Sequence, residues 1–216
     1  MVGITISHLV ETQSSSQIKA ILKVINDAYN EGERGILTNY KKPGKDLERA
    51  TKEDVEEWIR KGMLMVLTKQ NNDVIGCVKG EVTSDPKSVP RVGEWGCLAV
   101  KTQFQGLGYG KQLVRNIEFH LTHVHKCKRL QIDLIAPSSW KHSHKERLRK
   151  WYTSSSMGYE LQFPNDYEAS TTRFHKGQVL FDTYLLDTDA EVTKYVKNIG
   201  ANDLPGGIQN IMFNDE

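Results

Sequence analysis

The glycines of the segment Gln105–Lys111 have the type and spacing of an anion-binding loop. Gly106, Gly108 and Gly110 follow an apolar strand ending at Val100 and precede an amphipathic helix predicted to begin near Gly108. Backbone N–H groups at a helix N-terminus lack internal partners and carry the positive end of the helix dipole. Because glycine has no side chain, an anion can approach those N–H groups closely. The segment therefore predicts a phosphate site, although a glycine-rich corner can also be purely structural.

The spacing of these glycines excludes two common nucleotide-binding motifs. A Walker loop places Lys and then Ser or Thr after its last glycine, whereas Lys111 is followed by Gln112. The dinucleotide fingerprint needs a third glycine three residues beyond Gly108, and Lys111 occupies that position. The pattern that remains is Gln105-x-x-Gly108-x-Gly110.

This pattern, placed directly after the strand that ends Leu98–Ala99–Val100, resembles the acetyl-coenzyme A (acetyl-CoA) loop of the GNAT family of N-acetyltransferases. The resemblance covers residues 2–186. It implies a mixed α/β (α+β) GNAT-type acyl-CoA N-acyltransferase fold, with a central, mostly antiparallel sheet, a splayed strand pair and flanking helices. The residues that it assigns to acetyl-CoA are Leu98, Ala99 and Val100 beside the pantetheine and thioester, and Gln105, Gly106, Leu107, Gly108, Tyr109, Gly110 and Lys111 around the pyrophosphate.

Glu94 is the candidate general base. Alternation along a strand places Glu94 on the same face as Gly96 and Leu98, with Cys97 on the other face. A carboxylate in that position can accept a proton from an ammonium group, directly or through water. The alternative is a solvated or ion-paired strand residue, and Glu81 on the adjoining strand is the rival base.

Tyr152 is the candidate general acid, and it ends a helix predicted over residues 145–152. The GNAT resemblance implies a tyrosine here whose hydroxyl faces the cofactor sulfur and donates a proton to the leaving thiolate. The segment from Tyr152 to Gly158 is two residues longer than the family's Tyr-x-x-x-Gly spacing, so the helix either runs on or bulges. The structural alternative is an aromatic core residue beside Trp151.

Residues 140–150 form the most basic stretch of the chain and follow a predicted strand. Lys145 or His144 could reach the cofactor's phosphates, because a cation forms charge-assisted hydrogen bonds with phosphate. The alternative is a solvated helix face. His142 and His144 have a spacing seen in metal sites, but the sequence offers no evident third ligand, and we expect no metal.

The polar connection over residues 30–50 falls where the resemblance places the wall of the acceptor site. Its candidate contacts are Tyr29, Glu31, Glu33, Arg34 and Tyr40. The two glutamates would attract a cationic amine, or they are simply exposed to solvent.

Hydrophobic periodicity and turn residues predict the secondary structure. Helices are predicted over residues 14–29, from residue 51, from residue 108 and over 145–152; strands are predicted over residues 2–7, 63–69, 74–83, 94–100, 130–136, 158–163 and 179–186. We predict one domain over residues 1–187 and a tail over residues 188–216 that contains a short helix at residues 190–199.

Composition sets the class of protein. The 216 residues are 38% hydrophobic and 26% charged, the balance of one globular domain. A net charge of +2 does not favour nucleic acid, and no apolar run reaches membrane-spanning length. Three widely spaced cysteines favour a reducing compartment, so we expect a cytoplasmic protein without nucleic-acid or membrane partners.

Together these features predict an acetyl-CoA-dependent N-acetyltransferase. We expect it to act as a monomer or homodimer and to acetylate a primary amine, of small-molecule type, by direct attack in a ternary complex. The alternatives are an acyl-CoA-binding module with lost or weak catalysis and a protein N-acetyltransferase.

Overall fold

A computed structural model describes residues 14–39, 45–69, 73–85, 87, 89–163, 167–180 and 184–200, and the backbone of residues 4–8. The helices are α1 (Ser15–Gly32), α2 (Lys52–Arg60), α3 (Tyr109–Phe119) and α4 (Ser143–Tyr152). The strands are β1 (Ile4–His8), β2 (Leu37–Asn39), β3 (Leu64–Lys69), β4 (Val74–Val82), β5 (Val92–Val100), β6 (Arg129–Pro137), β7 (Glu160–Leu161), β8 (Thr171–Phe174), β9 (Val179–Leu180), β10 (Tyr184–Leu186) and β11 (Ala190–Asn198).

The central sheet has the strand order β1-β3-β4-β5-β6-β11-β7, with β8 also paired to β11. All of its pairings are antiparallel except that of β5 with β6. A second, three-stranded sheet has the order β2-β10-β9. The predicted mixed α/β fold with a mostly antiparallel sheet is confirmed.

Local sequence explains where the first two helices begin. The hydroxyl of Ser14 accepts from the N–H of Gln17, and the Gln17 side chain pairs back with the Ser14 backbone. Thr51 and Asp54 form the same reciprocal pair at the start of α2. These capping boxes satisfy N–H groups that the helix cannot pair internally.

The strands β5 and β6 separate after a short paired segment. Their pairing in the described chain runs from Val92 opposite Arg129 to Glu94 opposite Gln131. Beyond Glu94 the two parallel strands diverge, and this confirms the predicted splayed pair. The divergence opens a gap at the middle of the sheet.

A β-bulge at Cys97 interrupts the alternation of β5. Lys79 lies opposite Gly96 and Cys77 opposite Ala99, so one residue of β4 faces two residues of β5. The φ angle of Cys97 is +49°, in the left-handed region. The bulge therefore exchanges the two faces of the strand.

Packing shows this exchange directly. Before the bulge, Trp95 lies in the core that includes α3; after it, Ala99 packs with α1 and α2, while Val100 returns to the α3 side. Leu98 also packs against the α3 side. The prediction that Glu94 and Leu98 share one face is wrong, because the extra residue reverses the alternation between them.

Residues 190–199 do not form the predicted short helix. Ala190–Asn198 is a strand whose nine residues pair with β6 in unbroken register, from Pro137 to Arg129. The central sheet thus continues beyond the boundary predicted at residue 187. Residues 201–216 of the predicted tail lie outside the described chain.

Other differences concern short strands. The predicted strand 158–163 is reduced to Glu160–Leu161, and β2 and β8 were not predicted. The segment predicted as one strand over 179–186 contains β9 and β10, and residues 181–183 between them lie outside the description.

Candidate active site

A cavity of about 790 Å³ opens where β5 and β6 diverge. Its walls come from α1, β5, the loop before α3, β6, α4 and β10. The lining residues that the sequence had predicted for the site are Glu33, Glu94, Leu98, Ala99, Val100, Gln105, Gly106, Gly108, Gly110, Lys111, Lys145 and Tyr152, with Tyr29 and His144. Leu107 in the same loop and Tyr109 at the start of α3 do not line the cavity.

The loop before α3 and the first turn of α3 present a row of unpaired N–H groups. In the described chain, the N–H of Gln105 donates to Thr102 and that of Gln112 to Gly108, whereas those of residues 106–111 have no protein acceptor. Gly106 and Gly108 have φ angles of +76° and +86°. A Cβ added at either glycine would meet no atom within 4 Å, so open space lies in front of the loop. Consecutive free N–H groups beside open space suit the oxygens of a pyrophosphate.

Side chains around this loop fix its shape. The amide of Gln105 donates to the carbonyl of Val100 at 3.0 Å and ties the loop to the end of β5. Tyr109 packs edge-on to Phe104, and the ammonium of Lys69 lies 4.4 Å from the centre of the Phe104 ring. Leu107 is 62% exposed. The side chain of Gln105 therefore ties the loop to β5, and Gln105 also lines the cavity.

Glu94 lies at the mouth of the gap. Its Oε2 accepts a hydrogen bond of 2.7 Å from the amide of Gln131, the residue opposite it on β6. The rival residue Glu81 pairs with Lys79 at 2.5 Å and does not line the cavity. Of the two carboxylates, only Glu94 faces the space in which a substrate would sit.

Tyr152 is the last residue of α4 and is 7% exposed. Its ring packs at right angles to Trp95 and against Tyr195. Burial, and then the charge of Glu33, raises the pKa of the Tyr152 phenol well above its ordinary value. The long segment after it neither extends nor bulges the helix, because residues 153–157 form turns and α4 simply ends. Tyr152 is thus both a core residue and part of the cavity wall.

Lys145 does not offer a free charge to a phosphate. Its ammonium donates to Oε1 of Glu33 at 2.5 Å, and the two side chains are 4% and 6% exposed. Burial, followed by the electrostatic effect of Lys145, lowers the pKa of His144 to about 4, since both disfavour the imidazolium. The predicted phosphate role of these two residues has no support in this geometry. The other oxygen of Glu33, Oε2, is buried without a partner.

The bulge also determines where Cys97 lies. We had expected its side chain on the face opposite Glu94, but its electrostatic neighbours are Arg49 and Lys79, which belong to the α1 and α2 side. Burial raises the pKa of the Cys97 thiol. Cys97 therefore reaches the Glu94 side as a neutral thiol, which is a poor nucleophile.

The acceptor-side residues are only partly as predicted. Tyr29 and Glu33 line the cavity, Glu31 and Arg34 are exposed, and Tyr40 lies outside the described chain. Sequence reasoning missed Arg49 and Tyr184, which also line it. The signal for Arg49 was its place in the acceptor-side connection, but nothing in the sequence distinguished it from its basic neighbours.

Comparison with known families identifies the chain. The model of the acetyltransferase (GNAT) family matches residues 27–143, which include the C-terminal end of α1, the splayed strand β5 and the glycine loop. The protein belongs to the GNAT family. It is therefore an acetyltransferase, with acetyl-CoA as the acyl donor, and the row of free N–H groups fits that donor's pyrophosphate.

Solved structures share the fold at low sequence identity. The NatC complex bound to Gag peptide and CoA includes a chain with a TM-score of 0.58 and 14% identity, covering 91% of this protein and 99% of that chain. An N-acetyltransferase from Staphylococcus aureus Mu50 has a TM-score of 0.57 and 14% sequence identity, covering 92% of this protein and 99% of that chain. N-acetylglutamate synthase from Neisseria gonorrhoeae, complexed with coenzyme A and N-acetyl-glutamate, has a TM-score of 0.51 and 16% sequence identity. The match covers 93% of this protein and 36% of that chain.

No curated protein sequence matches the chain. Across the described residues, none of the helices combines the length and the apolar character needed to cross a bilayer.

Proposed function

We propose that this GNAT acetyltransferase N-acetylates a small primary amine by direct attack in a ternary complex. The observation that carries the proposal is one cavity that holds two complementary features. The free N–H groups of residues 106–111 lie at one end, and the carboxylate of Glu94 lies on the same strand that leads to them.

The protein's own groups would first position the donor. The N–H groups of residues 106–111 hold the pyrophosphate, and the backbone of Leu98 and Val100 beyond the bulge pairs with the pantetheine amides as an added strand would. Bound acetyl-CoA supplies a thioester carbonyl that an amine can attack. Holding both reactants in one cavity removes much of the entropic barrier.

Glu94 would then act on the amine. The ammonium form has no lone pair, so it must lose a proton before attack, and a carboxylate facing the cavity can accept that proton. The hydrogen bond from Gln131 fixes the orientation of the carboxylate. Gln131 is thus a positioning residue for the proposed base.

Tyr152 would complete the reaction as a proton donor. Its raised pKa keeps the phenol protonated at neutral pH, which is the state that a proton donor needs. Cys97 takes no covalent part in this scheme, because a buried neutral thiol does not compete with the amine for the acyl group. The attack is therefore direct.

The shape of the acceptor side favours a small molecule. Leu37 on β2, Tyr184 on β10 and Arg49 line that side of the cavity. A compact amine fits inside such walls, whereas a protein terminus needs an open approach.

The test is a screen of primary amines that follows free thiol release from acetyl-CoA, combined with calorimetry of coenzyme A binding. We expect coenzyme A to bind and at least one amine to be turned over. Binding without turnover of any amine would instead favour the acyl-CoA-binding module. The absence of both would refute the site itself.

A further inference from the structure

Arg49 occupies a distinctive position in the acceptor side of the cavity. Its guanidinium lies 5.2 Å from the ring centre of Tyr29 and 5.8 Å from that of Tyr184. One of its nitrogens, Nη1, donates to the Tyr184 hydroxyl at 3.4 Å. That hydroxyl in turn donates to the carbonyl of Arg49 at 3.0 Å. The guanidinium is thus held between two aromatic rings and faces the cavity.

Each of the three carboxylates that line the cavity has a partner other than Arg49, and Oε2 of Glu33 is the only buried carboxylate oxygen left unpaired among the described residues. Glu33 pairs with Lys145, and Asp133 pairs with Lys194 at 2.9 Å. Glu94 accepts from Gln131. In the part of the chain that the structure describes, Arg49 forms no ion pair. Its charge acts on Glu33 electrostatically, but the carboxylate of Glu33 pairs with Lys145 and not with Arg49.

A partly buried guanidinium without a counter-ion is costly, and its planar donors match the two oxygens of a carboxylate. A ligand that brings a carboxylate would replace the water that Arg49 otherwise needs. The rigid aromatic support means that little side-chain entropy would be lost on binding.

The cofactor's phosphates are unsuitable as this partner. Arg49 shares the α1 side of the sheet with Cys97, and it packs against Tyr29 of α1. The phosphate loop leads into α3, whose apolar residues pack on the opposite face of the sheet. The two cationic features therefore serve different ligands.

We propose that the acceptor is an amine that also carries a carboxylate, an amino-acid-like substrate whose carboxylate pairs with Arg49 and whose ammonium faces Glu94. This inference rests on the proposed N-acetyltransferase function and specifies its substrate class. Arg49 is in this scheme a specificity residue and takes no part in proton transfer.

The experiment compares each carboxylate-bearing amine with its own decarboxylated form. The probes are the proteinogenic L-amino acids, with β-alanine, γ-aminobutyrate and ε-aminocaproate, and the matching amines such as phenethylamine, ethylamine, propylamine and pentylamine. Thiol release gives kcat/KM, and calorimetry on protein saturated with coenzyme A gives binding. We expect the best carboxylated acceptor to exceed its partner by about 10- to 100-fold, the range for hydrogen bonds to charged groups.

Two variants assign this preference to Arg49. Arg49→Met should abolish it, and Arg49→Lys should retain only part of it, because a single ammonium cannot form the bidentate pair. Affinity for coenzyme A should be unchanged in both, which also shows that they are folded. Arg60→Met, on the exposed end of α2, is the matched control and should keep the full preference.

The outcomes separate this inference from the function beneath it. Turnover of neutral or dicationic amines with no carboxylate preference, or a preference that survives in Arg49→Met, would overturn the inference and leave the acetyltransferase intact. Loss of coenzyme A affinity in a folded Arg49→Met protein would assign Arg49 to the cofactor and also overturn it. Failure of every amine to bind or react would refute both.

Discussion

Glu94 and Tyr152 lie in environments that suit the roles proposed for them. Glu94 is partly exposed to the cavity and receives one neutral hydrogen bond, so it can hold a negative charge and accept a proton. Tyr152 is buried among aromatic rings, so burial keeps it neutral. The two groups, which line the same cavity, are thereby suited to opposite steps of the proposed reaction.

Replacing the proposed base tests the first of these roles. Glu94→Gln keeps the shape of the side chain but cannot accept a proton, and we expect kcat/KM for the best amine to fall about 10²- to 10⁴-fold. Calorimetry should show unchanged affinity for coenzyme A. Glu81→Gln, outside the cavity, is the control and should lose little activity. Equal activity in the two variants would exclude Glu94 as the base.

Tyr152 leads to a prediction about pH. Because burial raises the phenol pKa above its ordinary value of 10.0, the hydroxyl keeps its proton as the pH rises through 10. The kcat profile of the wild type should therefore show no alkaline decline from this group below pH 10.

Tyr152→Phe should lower kcat about 10²- to 10⁴-fold at every pH in that range, without weakening coenzyme A binding. Tyr195→Phe removes a hydroxyl from a buried neighbouring ring outside the cavity and is the matched control. A Tyr152→Phe enzyme with wild-type kcat would leave Tyr152 with a packing role only.

At the scale of elements, the phosphate loop and a surface turn offer a matched pair of glycines. Gly108 and Gly177 have φ angles of +86° and +84°, and a Cβ at either would meet nothing within 4 Å. An alanine at either position costs about 1–2 kcal/mol of stability through backbone strain. Only at Gly108 does the new methyl group enter the space in front of the free N–H groups.

We therefore expect Gly108→Ala and Gly177→Ala to lower the free energy of unfolding alike in urea, while only Gly108→Ala weakens coenzyme A binding in calorimetry. Equal coenzyme A affinity in the two variants would contradict the assignment of the loop.

The ion pair between α4 and the end of α1 is a second test at this scale. Lys145→Met leaves the Glu33 carboxylate buried and unpaired, and we expect the free energy of unfolding to fall by about 3–5 kcal/mol. Adding Glu33→Gln to Lys145→Met should restore much of the lost stability. A Lys145→Met protein as stable as the wild type in urea titrations would show that the pair is dispensable.

The pH dependence of this loss has a definite sign. Burial already raises the pKa of Glu33, and removing Lys145 raises it further. The Glu33 carboxylate binds a proton more tightly in the folded variant than in the unfolded chain. Its contribution to stability is therefore most favourable at low pH and falls as the pH rises through that pKa. The gap between wild type and Lys145→Met should be smallest in acid and widen towards neutral pH.

Elements with a strong local signal were predictable from sequence. The helix starts predicted near residues 14, 51 and 108 agree with the structure, because the capping residues Ser14 and Thr51 and the glycines before α3 lie within a few residues of the helices that they start. The bulge at Cys97 was not predictable, since it is a property of two strands in register. That omission reversed the expected placement of Leu98 and of Cys97 itself.

At the scale of the whole molecule, β11 shows the same limit more strongly. Its sequence, AEVTKYVKN, was compatible with a helix, and it became a strand because β6 lies open on one side and β7 and β8 on the other. Arg49 and Tyr184 illustrate the corresponding limit for the site, because 135 residues separate two side chains that touch. Long-range contacts decided what local patterns left undetermined.

Proline substitutions in β11 and in its neighbour β8 test the place of β11 in the sheet. Thr193→Pro, at a fully buried position paired on both sides, removes a ladder hydrogen bond and should lower the free energy of unfolding in urea by about 1–3 kcal/mol, the cost of a buried group left unpaired. Thr172→Pro, exposed on the neighbouring strand β8, should cost clearly less. Equal losses would show that β11 does not have the central role described for it.

The extra residue in β5 has a kinetic consequence. By reversing the strand's faces at Cys97, it directs Glu94 towards one side of the sheet and Leu98 towards the other. We expect donor and acceptor to reach the cavity from the two sides of the sheet, so that neither has to bind before the other. Initial-rate patterns should show random-order addition, with each product able to depart by the route its parent used.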